Sequence, residues 1–66
     1  MLETIDLGGI PADVARKRIK HVHLSVYPPA GRVRISAPEH MALDTIRVFA
    51  ISKLPWIKGQ QRKVQA

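Results

Sequence analysis

Three groups of residues in this 66-residue chain have the types and spacing to do chemistry: a histidine pair, a scatter of hydroxyl and carboxylate side chains, and a set of alternating arginines. His21-Val22-His23 is the pair with ligand-like spacing, because residues i and i+2 of a strand share a face and could bring two imidazoles to one metal ion. A zinc site needs a third protein donor, which would have to be His40, Glu39 or an acid from elsewhere in the chain. The favoured reading is two half-exposed histidines on the polar face of a strand, and no metal site is assigned. The chain has no cysteine, which excludes a disulfide framework, thiolate zinc ligands and a cysteine nucleophile. Ser25, Ser36 and Ser52 sit in no nucleophile elbow, and no His-Asp partner is placed near them by local spacing. Glu39 and His40 follow Pro38 in a polar connection, where both read as solvent-facing rather than as an acid-base pair. Gly8-Gly9 lacks the spacing of a phosphate loop and reads as a turn. No catalytic residue is assigned.

The arginines are the stronger signal for contact. Eleven Lys and Arg against five Asp and Glu give a net charge of +6, and all five acids lie outside the stretch from Val14 to Arg34, with Asp13 at its edge. Arg16, Arg18, Arg32 and Arg34, at alternate positions, are expected to form a cationic stripe on adjacent strands that could meet phosphates or an acidic protein surface. Platforms for stacked bases are few: Tyr27 near the turn, and Phe49 and Trp56 further on. These four arginines are therefore candidate anion or nucleic-acid contacts, weighed against a solvated sheet face that its charges keep from aggregating.

The elements that must carry these residues follow from periodicity. Val22, Leu24 and Val26 alternate with His21, His23, Ser25 and Tyr27, and Val33, Ile35 and Ala37 alternate with Arg32, Arg34 and Ser36. Both runs read as strands buried on one face, joined through Pro28-Pro29-Ala30-Gly31 as an antiparallel hairpin. Ile5 and Leu7 before Gly8-Gly9 suggest an earlier strand, and Val14 to Arg18 another. After Pro38 the period changes: Leu43, Ile46, Phe49, Ala50 and Ile57 recur at helical spacing, with a start near Met41 or Ala42 and Asp44 in the first turn. Pro55 must kink this helix or begin a new one. The fold class expected is α+β: one domain over 1–66, with an antiparallel β-meander of three to four strands in 1–38 covered by a C-terminal, Pro-kinked helix in 41–66. A chain this short buries only about 60% of its unfolded surface, so the core is thin and the module has reason to want a neighbour. No apolar run approaches the roughly 20 residues of a membrane span, and a cytoplasmic location is expected.

Taken in order, the run Val14-Ala15-Arg16-Lys17-Arg18, the hairpin His23-Leu24-Ser25-Val26-Tyr27 to Gly31-Arg32-Val33-Arg34-Ile35-Ser36-Ala37-Pro38, then Ile46-Arg47-Val48-Phe49-Ala50 and Lys53-Leu54-Pro55-Trp56-Ile57 resemble the N-terminal part of the YgjP-type metal-dependent hydrolases, a zincin-like metallopeptidase family. The resemblance covers most of the chain. It implies a zinc site on a His-Glu-x-x-His helix with a further histidine, lying well C-terminal to this segment, and none of those positions occurs here. His21, His23 and His40 match no family ligand position. Ala42 stands where relatives often carry a Ser or Thr helix cap. The resemblance thus implies a non-catalytic N-terminal domain, a fragment whose parent binds zinc and whose first partner is the C-terminal catalytic part of the same polypeptide. A peptide or protein partner is a further expectation, and a small basic nucleic-acid-binding module is the alternative.

Overall fold

The computed structural model describes the backbone of residues 2–65 and the side chains of residues 3–64. Four strands, β1 (Leu2–Asp6), β2 (Pro11–Lys17), β3 (His23–Tyr27) and β4 (Arg32–Pro38), are followed by two helices, α1 (Leu43–Ser52) and α2 (Leu54–Gln65). The α+β class read from the sequence is the class observed. Residues 1 and 66, which the expected meander and helix included, lie outside the described residues.

Pairing corrects the expected meander. The sheet order is β1-β2-β4-β3, with β1 antiparallel to β2, β3 antiparallel to β4, and β2 parallel to β4. The sheet is therefore mixed. The hairpin between β3 and β4 forms as expected, but it turns back so that β4 fills the gap beside β2. Residues 18–22 cross that gap, two strand spacings or about 10 Å, which five residues span easily. Burial explains the choice. Val33, Ile35 and Ala37 of β4 are fully buried, as a central strand under a helical layer must be, whereas no residue of β3 is fully buried and it sits at the rim.

At the β1–β2 turn, Gly8 and Gly9 adopt positive φ (75° and 96°), which glycine does without a Cβ clash. Leu7 N–H donates to Ile10 O at 2.9 Å, and Gly9 N–H donates to the Asp6 carboxylate at 3.0 Å, so this glycine pair is a turn. Strand β2 starts at Pro11, a position where a missing donor costs no ladder bond.

The two helices cover one sheet face. Ile46, Ala50 and Ile57 are completely buried against Val14, Val33, Ile35 and Ala37, with Ile5, Leu7 and Ala12 completing the core. Leu43 and Phe49, also expected in the stripe, are half-buried at its margin. The cap of α1 is Ala42, which makes no side-chain hydrogen bond. The break falls at Lys53: its N–H bonds Ala50 O at 3.0 Å, and its carbonyl receives Ile57 N–H at 2.9 Å. Pro55 thus lies in the first turn of a second helix, where its absent N–H has no intrahelical acceptor to lose.

Candidate functional site

The four arginines do not form one stripe. Alternation along β2 puts Arg16 on the same face as buried Ala12 and Val14, the face under the helices, while Arg32 and Arg34 alternate with buried Val33 and Ile35 and point to the opposite face. Arg18 lies past the end of β2. The sequence already held the parity that separates them: Arg16 is two residues from Val14, whereas Arg32 and Arg34 are each one residue from Val33.

Each arginine has a different local task. The Arg16 guanidinium donates to Glu3 at 2.9 Å, to the Pro38 carbonyl at 3.4 Å and to the Met41 carbonyl, so it clamps the β4–α1 connection to β1 and β2. It is an internal brace, with its side chain 24% exposed. Arg32 donates to Asp13 at 2.6 Å, and Thr4 donates to the other Asp13 oxygen at 3.3 Å. The hydrogen bond from Arg32 holds the Asp13 carboxyl below its ordinary pKa; burial opposes this, while the charge of Arg32, the Thr4 hydroxyl and the charge of Arg34 reinforce it. Asp13 in turn raises the Arg32 pKa. Arg18 meets Glu39 at 3.4 Å but is 93% exposed, a pair of little energetic weight. Arg34 lies over the Tyr27 ring at 5.9 Å on the uncovered face.

The metal donors are equally dispersed. His21 lies in the bend before β3, outside the strand that would have aligned it with His23, and His40 is exposed in the turn after β4. Glu39 is engaged by Arg18. Among the described residues, no group of three His, Cys, Asp or Glu side chains could hold a metal ion. A zinc ion needs three protein donors converging on one point, so the residues described here do not fit one.

Sequence reasoning missed a surface feature beside β3. Val22, His23, Leu24, Phe49, Lys53 and Trp56 line an open groove of about 300 Å³ between the edge strand and the junction of the helices. Lys53 lies 5.8 Å above the Phe49 ring, and Trp56 is 46% exposed. These residues come from two segments far apart in sequence, and only the placement of β3 at the rim brings them together. The sequence suggests that Trp56 packs beside Ile57; Ile57 does, but Trp56 stays half exposed at the groove.

No described helix is long and apolar enough to cross a membrane. No curated protein and no solved structure matches the chain. A family model described as YgjP-like, metallopeptidase domain, matches residues 20–66, the segment that carries β3, β4 and both helices.

Proposed function

The chain belongs to the YgjP-like metallopeptidase family, and from that membership we propose that it is the non-catalytic sheet-and-helix module of a zinc-dependent hydrolase whose catalytic residues lie outside these 66 residues. One observation carries the reading. The family match runs over 20–66, yet the sequence contains no His-Glu-x-x-His motif and its described His and acidic side chains do not converge. In this reading the module is scaffold: the Arg16 brace fixes the sheet to the helical layer, and its first partner is the catalytic part of the same polypeptide. A cytoplasmic location belongs to the same reading.

The purified chain, incubated with an unfolded polypeptide and zinc, is expected to cleave nothing. Cleavage that a chelator abolishes would overturn the proposal.

A second reading, nucleic-acid binding, draws on one observation: Arg34 within cation–π reach of Tyr27 on the uncovered sheet face, beside a net charge of +6. It calls for salt-sensitive binding of single-stranded DNA or RNA that Arg34→Ala weakens. An oligonucleotide titration at low salt with no binding removes it.

A further inference from the structure

We propose that the free edge of β3, together with the groove beside it, is a docking site for an extended acidic polypeptide segment that adds to the sheet as a fifth strand. Its aliphatic or aromatic side chain would enter the space between Leu24, Phe49 and Trp56.

Three independent observations lead there. The first is backbone supply. Among the described residues β3 pairs with β4 alone, so its outer row of N–H and C=O groups is available to another chain. Its sequence His-Leu-Ser-Val-Tyr carries no lysine or proline of the kind that blunts such edges. The second is the groove itself. It runs alongside that edge, with Val22, Leu24 and Phe49 half-buried and Trp56 open to solvent, a shape that takes a side chain from a strand lying next to β3.

The third is charge, which identifies the occupant. The five acids are Glu3 and Asp6 on β1, Asp13 on β2, Glu39 after β4 and Asp44 at the start of α1. Strand β3 and helix α2 have none. The approach to β3 carries Lys20 and His21, Lys53 lines the groove, and Lys63 lies two turns beyond Trp56 on the same face of α2, while Lys58 and Arg62 line a separate hollow with Pro55 and Gln61. Three of the acids are held by Arg16, Arg18 and Arg32. Pairing with the β3 of a second copy would bring no carboxylate to Lys53, because β3 and α2 carry none. A nucleic acid would satisfy the charge but leave the alternating donors and acceptors of the strand edge unmatched. An acidic peptide satisfies charge, backbone and groove together.

The test titrates the full chain, with its amide spectrum recorded, against a short peptide alternating Glu with Val around one Phe, at low salt. Saturable shifts and slowed amide exchange centred on residues 22–27, with the Trp56 indole also moving, are the expected result. The same peptide N-methylated at alternate backbone positions should bind at least tenfold more weakly, as should the Lys-for-Glu version. Trp56→Ala should also lose about tenfold in affinity. Equal binding of the N-methylated peptide, absence of any binding at millimolar peptide, or dimerisation of the chain on sedimentation would each overturn the proposal. So would a single-stranded oligonucleotide that competes for the same residues more tightly than the peptide.

Discussion

The two edges of the sheet are built on opposite principles. At the β1 edge, polar groups are spent internally: Glu3 holds Arg16, Thr4 holds Asp13, and Asp6 receives the Gly9 amide. At the β3 edge, Leu24 and Val26 alternate with His23, Ser25 and Tyr27, none of them held in an ion pair, and the neighbouring groove is lined by Phe49, Lys53 and Trp56. The difference teaches where this small molecule keeps surface in reserve. One edge closes its charges into the fold; the other leaves charge and apolar area facing outward, and it lies within the segment 20–66 that the family model matches.

The comparison breaks most severely through what both edges share. Ile35, fully buried at the centre of β4 beneath Ile46 and Ile57, ties β2 to β3, and Ile35→Ala is expected to cost about 2–5 kcal/mol. In so thin a core that loss should abolish a cooperative unfolding transition by heat or urea. Arg16→Ala comes next. It strands Glu3 and removes the donor from the Pro38 and Met41 carbonyls, with an expected cost of about 1–3 kcal/mol in urea unfolding. Arg34→Ala, on the uncovered face, should stay within about 0.5 kcal/mol of the parent. If the two arginine variants destabilise equally, the assignment of Arg16 as an internal brace fails.

These two arginines also show how much could be read in advance. The hairpin, the helical stripe and the break near Pro55 were legible because alternation by two, a change to helical spacing and a missing N–H each act locally. The pairing of β4 with β2 was not, because alternation states which face a residue occupies and is silent on which strand lies beside it. Grouping Arg16 with Arg32 and Arg34 failed for a related reason: equal spacing within each pair concealed opposite parity relative to the buried valines. The groove at β3 depended on the same long-range choice. Once β4 takes the centre, β3 is forced to the rim and its half-buried Leu24 meets Trp56.

Acid sharpens the β1 side. Asp13 has a folded-state pKa below its unfolded value of about 3.9, so its contribution is fully present above that pH and is lost as pH falls through the depressed folded value. Urea midpoints recorded from pH 6 down to pH 2 should therefore drop below about pH 4, and Asp13→Asn should flatten part of that limb. An unchanged acid limb in Asp13→Asn would assign it to other carboxylates. The smallest effect is expected at Arg18. Its solvent-exposed pair with Glu39 should contribute between about 0 and 1 kcal/mol, vanishing in high salt, and a double-mutant cycle with Glu39→Gln measures it.

The central claim is that this chain frames a metal-dependent hydrolase without holding its metal, and the most direct measurement is a zinc titration of the 66-residue chain followed by its amide spectrum. No saturable stoichiometric complex and no change in thermal midpoint are the results expected. A one-to-one complex with shifts gathered on His21, His23 and a third donor would contradict the claim.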